Sequence, residues 1–301
     1  MARNGSLAMR IAATGRSCQA SREVPFRLSQ HMTPKSIIER IADSEDSHIL
    51  QNNVHRAASL GTKNPFLEKF GRKPRLLDLF CCAGGASTGY AEAGFDVVGV
   101  DTKRQPNYPY QFIEHDAMKL ASDFIRSFDV IHASPPCQSY SDLAKRNRNA
   151  DSWPRLIEPV REMLVGSGLC YVIENVEGAP LLSPVMLCGT MFKGLRVLRH
   201  RLFEANFPIL TPKHGKHPRV HTFDKRKSHY GKTDDMRDFV QVTGGGNCTI
   251  AAARDAMGIS WMNKGELNEA IPPAYTRLIG KQLVSYIAIT AQPKGELQRS
   301  A

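Results

Sequence analysis

Between Arg75 and Asn175 the chain alternates short apolar runs with helix-patterned stretches, and each apolar run stops at small or polar residues. Arg75–Phe80 (RLLDLF), Phe95–Val100 (FDVVGV), Phe128–Ala133 (FDVIHA) and Leu169–Ile173 (LCYVI) read as strands. Gly89–Ala93, Ala117–Ile125 and Ile157–Val165 read as helices between them. This alternation predicts an α/β fold, a mostly parallel twisted sheet with helices on both faces. Ligands of such sheets sit at the carboxyl ends of the strands. Four clusters should therefore meet in one crevice: Cys81–Gly85, Asp101, Ser134–Gln138 and Glu174–Val176.

The rest of the chain has a different character. Residues 1–74 are weakly periodic, with a short helix expected over Pro34–Ser44 and the first 30 or so residues expected to be poorly ordered. Met32 could serve as a start. Residues 193–247 are rich in Pro and His and carry 12 Lys/Arg against 4 Asp/Glu between 193 and 237. Residues 76–192 are slightly acidic, so the net charge of +11 is concentrated in two basic segments, 1–75 and 193–237. That distribution suits a protein with one side facing a polyanion. Pro272-Pro273 signals a final helix from Ala274 to about Ile289. No apolar run reaches the roughly 20 residues of a membrane span. Seven cysteines without a C-x-x-C pair point to reduced thiols in the cytoplasm.

Each cluster has a bland reading and a chemical one. Asp78–Ser87 (DLFCCAGGAS) is a small-residue turn into a helix; with Asp101 about one strand later it suits a nucleoside whose ribose hydroxyls need an acceptor. A tight turn without a ligand is the alternative. Ser134–Ser141 (SPPCQSYS) presents Cys137 after two stiffening prolines, as a nucleophile would be, although most lone cysteines are buried structural thiols. Glu174 follows a strand and could protonate a ring nitrogen or serve as a surface acid. Arg199 and Arg201, alternating on an extended segment, would share one face, suited to a carbonyl or an anion, or would be solvated.

Taken in order, these clusters resemble the DNA cytosine-C5 methyltransferase family from about Arg75 to Leu283. The specific pair is Pro136-Cys137-Gln138 followed by Glu174-Asn175-Val176, with Arg199-His200-Arg201 after it. Thr249–Trp261 and Ile271–Leu283 are similar to the family's closing motifs. The resemblance implies a Rossmann-like fold that uses S-adenosyl-L-methionine, with Cys137 as nucleophile and Glu174 engaging the target base. Arg201, with Arg199, would help hold the cytosine carbonyl. Phe80, Ala83, Gly84 and Gly85 would contact the cofactor, Asp101 its ribose and Asp116 its adenine amino group, with Pro136, Ala270 and Ile271 completing the pocket. Double-stranded DNA would be the partner of a cytoplasmic monomer, in a restriction-modification setting, with the base flipped out of the duplex.

The implied layout is a partly disordered basic extension (1–74), a catalytic domain (75–205), a short basic target-recognition insert (206–247), a closing segment (248–290) and a tail (291–301). The polar, basic stretch Ser139–Asp151 is placed to close over a flipped base. Cys82 stands where the family usually has glycine, Val197 where it has glutamine, and Asn268-Glu269 where it has Gly-Asn. His214, His217 and His221 are close in sequence, but no clear fourth ligand accompanies them; the segment reads as a solvated basic loop, and no metal is expected. Competing readings are a non-catalytic DNA-binding homologue, a tRNA cytosine-C5 methyltransferase and, from the small-residue loop alone, a nucleotide-binding oxidoreductase.

Overall fold

Asn64 caps the first helix among the described residues. Its side chain accepts hydrogen bonds from the Phe66 and Leu67 amides, Pro65 sets the first turn, and Gly71 ends the helix at φ 68°. The computed structural model describes residues 64–141, 152–218, 239–243 and 248–290. The expectations for Pro34–Ser44, for the first 30 residues, for His221, for most of Ser139–Asp151 and for the tail from 291 lie outside the described residues.

In chain order the elements are α1 (Pro65–Phe70), β1 (Arg75–Leu79), α2 (Gly85–Glu92), β2 (Asp96–Asp101), β3 (Gln111–Glu114), α3 (Ser122–Arg126), β4 (Val130–Ala133), α4 (Ile157–Ser167), β5 (Cys170–Asn175), β6 (Val185–Leu187), β7 (Arg201–Ala205), α5 (Ile250–Met257), α6 (Lys264–Glu269) and α7 (Pro273–Thr290). Among the described residues they build one seven-stranded sheet of order β3-β2-β1-β4-β5-β7-β6. The first five strands of that order run parallel. β7 runs antiparallel to both β5 and β6. The order reverses at β1, which lies between β2 and β4; this is the switch point where such sheets open a crevice.

Alternation along the strands explains the two-faced packing. Leu76, Val97, Val130 and Val172 pack against Tyr90 of α2 and Tyr275, Ile279 and Leu283 of α7. Leu77, Val98, Ile131 and Ile173 point the other way, onto Ile125 of α3 and Val160 and Leu164 of α4. α7 can lie close to α2 because Gly89 has no side chain: a Cβ there would sit 2.1 Å from the Pro273 carbonyl. No helix of the described residues is long and apolar enough to cross a membrane.

The helix expected over 117–125 is two pieces, a 3-10 turn (Ala117–Lys119) and α3, because Leu120 is extended at φ −65°, ψ 137°. β3 and β6 are strands that the sequence pattern did not signal; at four and three residues they are too short to show a period. Residues assigned to the flanks also join the body. Phe66 of α1 is buried, and Lys69 Nζ donates to the Ala288 carbonyl at 2.9 Å. Val240 and Val242, inside the segment read as the insert, pack with Val197, Ala256 and Met257.

Candidate active site

The carboxyl ends of β1, β2, β4 and β5 open on a cleft of about 440 Å³. Ten of the thirteen candidate residues line it: Phe80, Ala83, Gly85, Asp101, Pro136, Cys137, Glu174, Arg201, Ala270 and Ile271. Gly84, Asp116 and Arg199 are not among its lining residues.

At one end, backbone geometry makes the wall. The chain leaves β1 through Phe80 and Cys82, both at positive φ (59° and 44°), then Gly84 at φ 82°. The turn is that tight because Cys81 N donates to the Val100 carbonyl and Cys82 N to Asp101 Oδ2, both within about 3 Å. Positive φ at residue 82 explains why glycine is the usual residue there: with a Cβ this conformation is strained. Lys103 N also donates to Asp101, at 3.1 Å, so the carboxylate is oriented and keeps lone pairs for a hydroxyl partner. Gly84 is needed for a different reason, since a Cβ there would press on the Tyr108 ring at 2.9 Å.

Asp78 lies beneath this loop and lines the cleft. Ser87 Oγ donates to its Oδ2, while the buried Oδ1 has no hydrogen-bond partner. Desolvation pushes the carboxyl up to about 7, against the Ser87 hydrogen bond, with Asp101 and Glu174 adding to the rise. A buried orphan acceptor costs free energy unless a donor arrives. Asp116 caps the 3-10 turn: its side chain accepts from Met118 N at 3.0 Å and pairs with Lys119.

At the other end, buried side chains make the wall. Cys137 sits in a turn after β4, its carbonyl accepting from the Tyr140 and Ser141 amides at 3.0 Å. Asn175 Nδ2 donates to the Pro135 carbonyl at 2.9 Å, pinning the Pro-Pro-Cys turn to the end of β5. Burial raises the Cys137 thiol, Glu174 raises it further, and Arg201 and Arg199 pull it back. Glu174 is only 5% exposed, and burial raises its carboxyl against the opposing pull of Arg201, Ser134 and Arg199. Arg201 Nε holds Glu174 Oε1 at 3.0 Å.

The sequence reading put both guanidiniums of Arg199-His200-Arg201 on one face. The structure separates their work. β7 begins only at Arg201, so the alternation that would align the two does not extend to residue 199. Arg199 donates to the Val242 carbonyl at 2.7 Å and the Asn268 carbonyl at 2.6 Å, and its own carbonyl accepts from Tyr275 OH at 2.7 Å. It ties three remote segments together behind the cleft. Desolvation lowers its guanidinium to about 9.

Sequence reasoning passed over several residues. Ser134 hydrogen-bonds Glu174 and lies 2.9 Å from His132 Nε2, whose Nδ1 is 3.0 Å from Tyr90 OH. The buried imidazole is pushed down to about 3, so it stands neutral and relays polar order from α2 to Glu174. Trp153, 46% exposed, lines the cleft on its open side. Nothing in the sequence marked His132, because a polar residue inside an apolar strand carries no period; Trp153 could have been found as a large aromatic beside a polar loop.

The family model described as C-5 cytosine-specific DNA methylase matches residues 74–180, which hold the loop after β1, Cys137 and Glu174. Type II methyltransferase M.HgiGI of Herpetosiphon aurantiacus is 30% identical over 118 residues, covering 36% of this chain and 94% of the relative. Type II methyltransferase M.HgiDI of the same organism is also 30% identical over 118 residues, but this covers only 38% of its length. A crystal structure described as a DNA modification methyltransferase encoded within a prophage (E. coli) superposes with a TM-score of 0.50 at 16% identity, covering 71% of this chain and 99% of that one. That last likeness is one of fold, a Rossmann-like methyltransferase sheet. With the site's geometry and these relatives in agreement, the chain belongs to the C-5 cytosine-specific DNA methylase family.

Proposed function

We propose that this protein transfers a methyl group from S-adenosyl-L-methionine to C5 of cytosine in double-stranded DNA, by way of a covalent bond from Cys137 to C6 of a flipped-out base. The observation that carries the reading is the cleft itself. It joins a strained small-residue loop with an oriented Asp101 to a thiol facing a buried, arginine-paired Glu174.

The cofactor end fits the group. The orphan Oδ1 of Asp78 asks for a donor, Asp101 for a hydroxyl, and Phe80, Ala83, Gly85, Pro136, Ala270 and Ile271 offer apolar or backbone surface. When bound, S-adenosylmethionine supplies an electrophilic methyl group. Gly84 would act through the turn it permits, and Asp116 through the 3-10 turn it caps.

The chain's own residues make C5 reactive. Sγ of Cys137, once deprotonated, adds to C6, and the ring's electron pair shifts toward N3. Glu174, whose carboxyl is raised by burial, holds a proton at N3 and so lets C5 become nucleophilic. Arg201 fixes the carboxyl and leaves its remaining N–H groups for the base carbonyl. Asn175 keeps the nucleophile's turn in place. After C5 is methylated, loss of its proton restores the double bond and expels Cys137. The cleft admits the base only out of the stack. The basic segment 193–237 would supply sequence-independent affinity for phosphates.

Labelled cofactor incubated with duplexes of mixed sequence, beside a tRNA panel, tests the reading. Label should appear at cytosine C5 of the duplex, and a duplex carrying 5-fluorocytosine should trap a covalent adduct on Cys137. Transfer that survives Cys137→Ala, or label confined to tRNA, overturns it.

A further inference from the structure

Behind the sheet's antiparallel edge lies a second cluster of ligand-bearing side chains, in the region that the sequence reading left as a solvated basic loop. Cys188 follows β6 directly, His200 precedes β7 directly, and His214 and His217 come from the segment after β7. Sγ of the cysteine and one ring nitrogen from each histidine all lie within 4.8 Å of one another. His217 Nε2 is at the centre: 3.5 Å from Cys188 Sγ, 3.0 Å from His200 Nε2 and 3.1 Å from His214 Nε2.

Hydrogen bonding does not account for this arrangement. An imidazole nitrogen carries either one hydrogen or one lone pair, so His217 Nε2 can serve one of its three neighbours. A cation among the four atoms serves all of them. A tetrahedral zinc ion with Zn–N near 2.0–2.1 Å and Zn–S near 2.3 Å sets its ligand atoms about 3.3–3.6 Å apart. The three contacts above fall within a few tenths of an ångström of that spacing. One thiolate with three imidazoles suits zinc; the hard oxygen ligands that magnesium and calcium take are missing from the set. His200 also turns its other nitrogen, Nδ1, to Glu177 Oε2 at 3.0 Å, which aims its Nε2 lone pair into the cluster. Cys188 is fully buried, and a thiolate there is tolerable only beside a positive charge.

We propose that Cys188, His200, His214 and His217 form a structural zinc site that fastens the root of the basic segment to the β6–β7 edge. Four protein ligands close the shell, so the ion has a scaffolding role and no open position for a substrate. His200 lies between Arg199 and Arg201, so the same ion sets the backbone that delivers Arg201 to Glu174. The site stands apart from the reading of function above; its effect on DNA rests on that reading.

The test uses the full chain, purified without a histidine tag, and zinc or cobalt ions alone as the probe. Elemental analysis should find one zinc per chain after desalting. Replacement by Co²⁺ should give tetrahedral d–d absorption with a thiolate charge-transfer band. Cys188→Ser should lose the charge-transfer band, His217→Ala should lose the metal, and His221→Ala should keep it. Where a variant fails to fold, the wild-type protein still decides: no tightly held zinc, or an octahedral cobalt spectrum, overturns the site. Loss of zinc in His221→Ala with retention in His214→Ala overturns the ligand set. Chelating the zinc should weaken duplex binding at least 10-fold while leaving S-adenosylmethionine binding, read by calorimetry, unchanged; unchanged duplex binding overturns the fastening role. A chain that holds zinc but methylates nothing would leave the site standing and sink only the proposed function.

Discussion

The parallel half of the sheet and its antiparallel edge solve the same problem, holding side chains at strand ends, by different means. From β3 to β5 the work is local and mostly done by backbone. The loop after β1 is bent by its own amides onto β2, and Asp101 is oriented by Cys82 N and Lys103 N. At β7 and β6 the work is done by charged side chains reaching across the chain. Arg161 of α4 grips Glu204 of β7 through two hydrogen bonds of 2.7 and 2.8 Å, and Leu182 N adds a third to the same carboxylate. Arg199 reaches Val242 and Asn268, and Arg196 pairs with Asp255 of α5. The first region should therefore bend under substitution, and the second should break, because a buried charge stripped of its partner has no solvent to fall back on.

Five predictions sharpen that contrast. Cys137→Ala has the largest expected effect: single-turnover methyl transfer should fall by at least about 10³-fold, with the melting temperature nearly unchanged, since the thiol contributes chemistry and little packing. In the wild type the same rate should climb as pH rises past neutrality, because burial holds the Cys137 thiol above its ordinary value; a flat profile would place proton removal elsewhere. Glu204→Ala should cost about 3–5 kcal/mol in denaturant unfolding by leaving the Arg161 guanidinium buried without its carboxylate. A cost below about 1 kcal/mol would mean that the edge is as forgiving as the parallel half.

A paired pH experiment comes next in size. His132 is pushed down to about 3, so the unfolded chain takes up a proton near pH 6.5 that the folded chain refuses. Its contribution to stability is present above about pH 6.5 and is lost as pH falls toward 3. Asp78 is pushed up to about 7, so the folded chain keeps a proton that the unfolded chain releases near pH 3.8. Its contribution is present at low pH and is lost as pH rises from about 4 to 7. Between about pH 4 and 6.5 the two oppose each other. His132→Gln should make stability fall more steeply with rising pH in that window than in the wild type, and Asp78→Asn should make it rise; parallel curves for all three proteins would refute the assignment. The smallest effect belongs to Cys82→Gly, which relieves a positive φ and should raise stability by about 1 kcal/mol, with S-adenosylmethionine binding no weaker.

The same contrast explains what the sequence disclosed. Apart from β3, the parallel half was legible because its strands are apolar runs with polar stops, and both Cys137 and Glu174 fall at those stops. The tethering of Arg199 was not legible, because its partners, Val242 and Asn268, lie 43 and 69 residues away, and no local pattern encodes such a reach. Of the proposed zinc ligands, His214 and His217 stood out by spacing, while Cys188 and His200 are brought side by side only by the pairing of β6 with β7. The sequence reading grouped them with His221, found no fourth ligand and expected no metal.

One packing feature also bears on the order of events at the ribosome. Ala270 and Ile271, which face the loop after β1, and α7, whose Thr276 Oγ1 donates to the Ala86 carbonyl at 2.8 Å, come from the far end of the described chain. The loop after β1 leads into Ala86, and the helix that packs against it emerges some 190 residues later. A nascent chain therefore cannot complete this cleft until residues 270–276 have been made, and the preceding strands must wait with Tyr90, Leu76 and Val97 uncovered.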